Sequence, residues 1–129
     1  MLVDDDSNDN FFHERIINKS NSAKMIVSME SGPAALEYIK SKKGESDSYP
    51  DLIFLDINMP GMNGWDFLDE YNKLGQELQK PVVIIMLTTS ENPDDKKIAM
   101  SLNGVSDFTT KPLTKLKLEE VFDKYFGKS

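Results

Sequence analysis

The chain has no cysteine, one histidine, one tryptophan and fewer basic than acidic residues. The absence of cysteine excludes disulfide bonds and thiolate chemistry, which agrees with a cytoplasmic protein. With 15 Lys and Arg residues against 22 Asp and Glu residues, the formal net charge is -7. This balance argues against a nucleic-acid partner, which would need a basic patch, and it suits the binding of a cation.

Long hydrophobic runs are also missing. The longest apolar run covers residues 82–87, whereas a membrane-spanning helix needs about 20 apolar residues. Residues 1–4 contain no basic region followed by an apolar stretch, so we expect no signal peptide and no membrane partner. A chain of 129 residues is long enough for one hydrophobic core. Because we find no repeat or linker, we predict one domain over residues 1–129 and no second domain.

Short apolar segments alternate along the chain with segments of helical periodicity. Strands are predicted over residues 1–3, 25–29, 51–56, 82–87 and roughly 105–109. Helices are predicted over about residues 8–19, 32–41, 64–74 and 93–102, with a last helix through residues 118–125. Five strands alternating with five helices predict an α/β fold with a doubly wound parallel sheet and right-handed crossovers.

The first predicted helix has a polar start and a weak apolar stripe. Ser7 or Asn8 is suited to cap it, because a short polar side chain can accept a hydrogen bond from the first turn. Phe12 and Ile16 are four residues apart and are predicted to face inward. His13 is then expected on an exposed face, with no role as a ligand.

Reactive side chains follow four of the predicted strands. Asp56 ends the buried strand, and a Pro/Gly-rich turn follows it. Three acidic residues at positions 4–6 follow the first strand, hydroxyls at positions 88–90 follow the fourth, and Lys111 follows the fifth. Ligands of open α/β sheets bind beyond the carboxyl ends of the strands. The sequence therefore predicts that acids, hydroxyl and lysine meet at one edge of the sheet.

Carboxylates that meet at one crevice need a cation to remain ionised. Mg²⁺ suits this position because it takes one or two carboxylates, keeps several waters and accepts phosphate oxygens. Asp4, Asp5 and Asp56 are the predicted carboxylates, although a solvated turn would also explain the first two. A calcium loop starting at Asp4 is excluded, because its sixth position is Asp9 rather than Gly and its twelfth is Arg15 rather than Glu.

Asp56 is also a candidate nucleophile. A carboxylate can accept a phosphoryl group as an acyl phosphate, provided that cations neutralise the transferring oxygens. Lys111 is suited to supply such a charge, and Thr88 to donate its hydroxyl to a phosphoryl oxygen. The plainer alternatives are a surface lysine and an ordinary β-branched strand end. Pro112 favours the functional interpretation, since a residue before proline is held extended.

Taken together, the motifs resemble those of a response-regulator receiver domain of the single-domain, CheY-like type. The resemblance covers nearly the whole chain, and the matching segments are residues 3–6, 55–64, 87–90 and 110–113. It implies a flavodoxin-like sheet with strand order 2-1-3-4-5. It also implies that Asp56 is the phosphoacceptor, and that Asp4, Asp5 and the backbone carbonyl of Asn58 bind Mg²⁺ with it.

The resemblance assigns further roles in switching. Thr88 looks like the switch hydroxyl, Lys111 like the phosphate-binding lysine and Phe108 like the aromatic that turns inward on activation. Phe108 lacks the phenolic hydroxyl of the tyrosine frequent at this position. Asn58 and Ser90 stand two residues beyond Asp56 and Thr88, so the resemblance implies that they tune the loss of the phosphoryl group.

The function that this implies is a phosphoacceptor module of a two-component or phosphorelay system. The donor would be a phosphohistidine on a sensor histidine kinase or a histidine phosphotransfer protein. A downstream protein target would bind the surface formed by the fourth helix, the fifth strand and the last helix. The chain would be a monomer or a phosphorylation-dependent dimer. It would not be an enzyme beyond catalysing its own phosphorylation and dephosphorylation.

Two alternatives remain open from the sequence. A Mg²⁺-dependent phosphohydrolase of the haloacid-dehalogenase type would use Asp4 as its nucleophile, because residues 4–6 resemble the opening motif of that class. This alternative leaves Asp56 and its turn unexplained. A receiver-like module that only binds partners is the second alternative, and the complete set of acids, Thr88 and Lys111 argues against it.

Overall fold

The computed structural model describes residues 1–20, 23–42, 50–74, 82–89, 94, 97, 98, 101 and 104–127. Five strands form one sheet, and each neighbouring pair is parallel. The strands are β1 (Leu2–Val3), β2 (Ser28–Met29), β3 (Leu52–Asp56), β4 (Val83–Thr88) and β5 (Asp107–Thr110). Their order is β2-β1-β3-β4-β5, so the predicted sheet and its strand order are confirmed.

Four helices lie within the described residues. They are α1 (Ser7–Ser20), α2 (Gly32–Ser41), α3 (Gly64–Leu74) and α4 (Lys115–Phe126). Most of the helix predicted over residues 93–102 lies outside the described residues, but positions 94, 97, 98 and 101 within it have helical conformation. None of the helices described has the length and apolar character needed to cross a membrane.

The central strands carry apolar side chains on both faces of the sheet. Ile53 and Leu55 pack in one cluster with residues of α2 and α3, whereas Leu52 and Phe54 pack in a second cluster with residues of α1 and α4. Neighbouring positions of a strand point to opposite faces, which explains the alternation. Each fully buried side chain of this size contributes about 1.5–3 kcal/mol. The two layers of helices thereby fix the strands that carry the site.

The face that helix α1 turns to the core matches the prediction only in part, because Ile16 packs against the second cluster whereas Phe12 does not. Asn10, His13 and Ile17 are buried, whereas Phe12 is 44% exposed. The buried positions follow i, i+3 and i+7 spacing, and two of them are polar side chains that bond to backbone groups. The cap is also different, since Asp6 Oδ1 accepts from the N–H of Asn8 at 2.9 Å. Because two residues of the buried stripe, Asn10 and His13, are polar, a search for apolar spacing alone does not find them and selects the exposed Phe12 instead.

The edge strands are shorter or shifted relative to the prediction. β2 pairs only with β1, in the register Leu2↔Ser28 and Val3↔Met29, so the two-residue length of β1 limits it. β5 begins at Asp107 rather than at residue 105. Just before it, the Ser106 hydroxyl accepts from the N–H of Ile84 at 3.2 Å, a bond that a backbone carbonyl would make in a regular ladder.

Candidate functional site

Asp56 is the last residue of β3 and is only 4% exposed. The turn after it is held closed by a hydrogen bond from the N–H of Gly64 to the carbonyl of Ile57 at 2.8 Å. A Cβ atom on Gly64 would lie 2.8 Å from the Asp56 carbonyl oxygen and 2.9 Å from Ile57 Cα. Glycine is therefore required at position 64, because any side chain there would displace the backbone that follows Asp56.

Three carboxylates converge beside the end of β3. Asp4 and Asp56 are buried, Asp5 is exposed, and each offers an oxygen within 4.8 Å of the others. The turn that carries Asp4 is anchored by Asn10, whose Nδ2 donates to the carbonyl of Asp4 at 2.9 Å and to that of Met29 at 3.4 Å. Sequence reasoning missed Asn10, since a polar residue one turn into a helix ordinarily faces water.

Lys111 places its ammonium in the middle of these acids. Its Nζ lies 2.7 Å from Asp4 Oδ2, 3.0 Å from Asp9 Oδ2 and 3.4 Å from Asp56 Oδ1. The backbone N–H of Lys111 donates to the Thr88 carbonyl at 2.7 Å, and the peptide bond to Pro112 is cis. The structure thus brings the predicted lysine and acids together and adds Asp9, which was not predicted.

Burial and neighbouring charges shift the pKa values of both Lys111 and Asp56. Burial by itself lowers the pKa of Lys111, but the close contacts with Asp4 and Asp9 outweigh it, so the pKa is raised and the lysine is charged. Burial and then the charge of Asp4 raise the pKa of Asp56 to about 6, although Lys111 opposes them. At pH 7 the site therefore holds an ionised carboxylate that is poorly stabilised by its surroundings.

The donor atoms of the site fit a hard divalent cation. All are carboxylate oxygens, which Mg²⁺ and Ca²⁺ prefer over nitrogen or sulfur. The contact of Asp4 Oδ2 with Lys111 is an ion pair without the direction of a good hydrogen bond, so this oxygen keeps acceptor capacity. Asp56 Oδ1 accepts from the N–H of Asn58 at 3.3 Å, which holds the Asn58 backbone beside the acids.

The other predicted residues lie at the same edge or next to it. Thr88 is buried at the end of β4, and β4 pairs with β3 in the register Asp56↔Leu87, one residue before Thr88. Phe108 in β5 is partly buried and packs against the core cluster on the side of α2 and α3. Ser90, predicted to tune hydrolysis, lies outside the described residues.

Side-chain hydrogen bonds join β5 to α4 at two points. Lys117 Nζ donates to the Thr110 carbonyl at 2.8 Å and to its hydroxyl at 3.1 Å. Further along the helix, the single proton of the Tyr125 hydroxyl is shared between the Ser106 carbonyl at 2.7 Å and Asp107 Oδ2 at 3.1 Å, and Lys124 Nζ donates to Asp107 Oδ2 at 3.1 Å. The strand that carries Phe108 is thus bound to the last helix at both of its ends.

The expectation of an exposed His13 is wrong. His13 is 2% exposed, and its Nε2 accepts from the N–H of Leu113 at 3.4 Å. Burial lowers its pKa, with the charges of Asp9 and Asp4 opposing that effect. The neutral ring therefore acts as an acceptor that joins α1 to the segment after β5.

A separate cavity of about 330 Å³ lies at the other edge of the sheet, near the amino ends of β1 and β3. Its lining includes Met1, Leu52 and Phe122. The three acids of the cluster, Thr88 and Lys111 do not line it, so the acidic cluster and not this cavity is the candidate site.

Receiver domains of signalling proteins are the class that this fold and site indicate: a parallel sheet of order 2-1-3-4-5 with acids, a threonine and a lysine at the carboxyl ends of its strands. A family model described as the response regulator receiver domain matches residues 1–123, and the chain belongs to this family. It is therefore a receiver domain of the two-component type, a signalling module. The family assignment favours this interpretation over the phosphohydrolase alternative.

Relatives agree with this assignment. A crystal structure of a two-component response regulator from Cytophaga hutchinsonii is 31% identical and superposes with a TM-score of 0.89, covering 98% of this chain and 95% of that one. The probable methanogenesis regulatory protein FilR2 of Methanothrix harundinacea is 28% identical, over 98% of this chain and 83% of that protein. The sensor histidine kinase GacS of Pseudomonas protegens is 27% identical over 98% of this chain, which spans only 13% of that protein.

Proposed function

We propose that this receiver domain accepts a phosphoryl group on Asp56 from a phosphohistidine of a partner protein. The observation that carries the proposal is the buried Asp56 carboxylate with the Lys111 ammonium 3.4 Å away and two further acids beside it. The partner would be a sensor histidine kinase or a histidine phosphotransfer protein. The similarity to a segment of a sensor histidine kinase supports this class of partner.

The proposed reaction is an in-line transfer. An Asp56 carboxylate oxygen attacks phosphorus while the bond from phosphorus to the imidazole nitrogen breaks, and its electron pair returns to that nitrogen. The ring leaves as neutral imidazole when its other nitrogen carries a proton. Lys111 donates N–H bonds to a phosphoryl oxygen, and the Thr88 hydroxyl donates to another.

Asp4, Asp5, Asp56 and the Asn58 carbonyl would hold Mg²⁺ in this reaction. The bound ion supplies positive charge against both the carboxylates and the phosphoryl oxygens. Asn58 and Ser90, which follow Asp56 and Thr88 by two residues in the sequence, would tune attack by water on the product, as the resemblance to receiver domains implies. Neither is a strong acid or base, so we expect no fast built-in hydrolysis.

Acetyl phosphate tests the proposal without a kinase, because the acid cluster and the lysine belong to one chain. We expect Mg²⁺-dependent incorporation of one phosphoryl group at Asp56, detected by intact mass and by peptide mapping. An NMR titration with Mg²⁺ alone should shift the amides of Asp4, Asp5 and Asn58. A label that maps to another residue, or metal shifts scattered evenly over the surface, would refute the assignment.

Substitution of Thr88 should separate phosphorylation from switching. Phosphate on Asp56 adds charge and acceptor oxygens, which would draw the Thr88 hydroxyl inward and leave space for Phe108. Thr88→Ala is therefore expected to accept phosphate while showing a weaker response at Phe108 and along α4. Amide shifts before and after phosphorylation measure this response, with the exposed neighbour substitution Thr89→Ala as the control. Identical shifts in phosphorylated Thr88→Ala and wild type would exclude the coupling.

A further inference from the structure

Asp9 contacts the ammonium of Lys111 but does not belong to the cluster of three acids. Its Oδ2 lies 3.0 Å from Lys111 Nζ, closer than Asp56 Oδ1 at 3.4 Å. The group of carboxylates able to hold one cation comprises Asp4, Asp5 and Asp56 without Asp9. A bound metal would therefore engage the other acids and leave Asp9 paired with the lysine.

Helix α1 holds Asp9 in this position. Asp9 lies in the first turn of α1, where the partial positive charge of the helix end favours a carboxylate. One turn later, His13 Nε2 accepts from the N–H of Leu113 at 3.4 Å. The same helix thus contacts the segment after β5 at two residues, Lys111 and Leu113. Asp9 and Lys111 are 102 residues apart in the sequence, and His13 and Leu113 are 100 apart.

The arrangement of charges around Lys111 makes Asp9 a competitor of the phosphoryl group for the lysine ammonium. One ammonium faces three carboxylates within 4.0 Å, and an arriving phosphoryl group needs one of its three N–H donors. The Asp9 carboxylate holds one of these donors through its bond to Lys111 Nζ at 3.0 Å. Its side chain is 40% exposed, so it can turn into water once the phosphoryl group has bound to the lysine.

We infer that Asp9 is a positioning residue that restrains Lys111 and competes with the phosphoryl group for its ammonium, slowing phosphorylation of Asp56. This inference rests on the proposed function of Asp56. In the labelling reaction, an Asp56 oxygen bonds to phosphorus while the phosphorus–oxygen bond to the acetyl group breaks. Acetate leaves with the electron pair, and Lys111 keeps its proton throughout.

Asp9→Asn tests the inference, because the amide oxygen can still accept from Lys111 but carries no charge. With Mg²⁺ and limiting acetyl phosphate, the second-order rate constant of labelling should rise about two- to fivefold, as expected for a half-exposed ion pair. Glu14→Gln removes a charge from the same helix outside this contact and should leave the rate unchanged. In a Lys111→Met background, Asp9→Asn should have no accelerating effect.

A second measurement needs neither metal nor phosphate. A double-mutant cycle of Asp9→Asn and Lys111→Met by urea unfolding should give a coupling free energy that favours the native pair. A slower or unchanged labelling rate in Asp9→Asn, or an acceleration that persists without Lys111, would overturn the inference. Failure of the wild-type chain to label would refute the proposed function, and zero coupling in the unfolding cycle would refute the Asp9–Lys111 restraint separately.

Discussion

Asp56→Asn is expected to abolish phosphoryl labelling and to make the unphosphorylated fold more stable at pH 7. Labelling is lost because an amide cannot form the acyl phosphate. Stability rises because burial lifts the pKa of Asp56 to about 6 from 3.8, so the ionised side chain opposes folding. In the absence of divalent metal the gain is on the order of 3 kcal/mol.

The pH dependence of this gain follows from the direction of the shift. A carboxyl with a raised pKa in the folded state penalises folding above about pH 6, where it is ionised in both states. The penalty decreases as the pH falls through 6, is small near pH 4, where only the folded state is fully protonated, and disappears below about pH 3, where both states are protonated. The difference between Asp56→Asn and wild type should therefore be largest at pH 7 and small at pH 4.

Urea unfolding with a chelator present measures the effect. The control is Glu120→Gln, which removes a charge from an exposed side chain of α4. It should change the free energy of unfolding by less than about 0.5 kcal/mol. A variant Asp56→Asn that is no more stable than wild type at pH 7 would contradict the unfavourable ionised state of Asp56. A stable acyl-phosphate label on the Asp56→Asn variant would have to lie at another residue and would contradict the role of Asp56 as phosphoacceptor.

Lys111→Met should have the opposite effect on stability. Methionine fills similar space without the charge, and the buried Asp4 and Asp56 then lose the cation that lies 2.7 Å and 3.4 Å from them. Removing one partner of a buried ion pair costs about 3 kcal/mol. The lysine itself stays charged between pH 4 and 7, since its pKa is raised above 10.5.

The acids therefore determine the pH profile of Lys111→Met. Without the cation their protonated forms are favoured, so the loss of stability should be largest at pH 7 and should shrink as the pH falls below 6. Mg²⁺ should restore part of the loss by replacing the missing charge. Lys115→Met, at an exposed lysine 4.0 Å from Glu119, is the matched control. Equal losses at pH 4 and pH 7 would indicate altered packing and not unpaired acids.

The sequence was sufficient to predict the sheet, its strand order and the edge at which the site lies. The sheet and the position of the site follow from short-range signals, namely buried apolar runs such as the one before Asp56 and reactive residues at the strand ends, whereas the strand order is implied by the resemblance to receiver domains. Asn10 and His13 could not be predicted, because each is buried through a hydrogen bond to a backbone group that is distant in the chain or on another element. Spacing along a helix does not show which polar side chain finds such a partner.

The position of Asp9 in the site could not be predicted from the sequence for the same reason. Its ion pair joins residues 102 positions apart, and nothing in the local pattern distinguishes it from the neighbouring acid Asp6. The structure assigns them different tasks, since Asp6 caps α1 whereas Asp9 reaches Lys111. Only the packing of α1 against the segment after β5 separates the two.

The paired attachments between β5 and α4 determine how motion would travel through the molecule. Lys117 and Tyr125 are eight residues apart, which corresponds to about 12 Å along a helix axis. Two tethers at that separation prevent the helix from pivoting about either one, so α4 follows any displacement of β5 as a rigid rod. A partner bound along this helix would then detect the position of the whole rod, and removing the attachment at the later end, with Tyr125→Phe and Lys124→Met together, would turn a translation into a tilt.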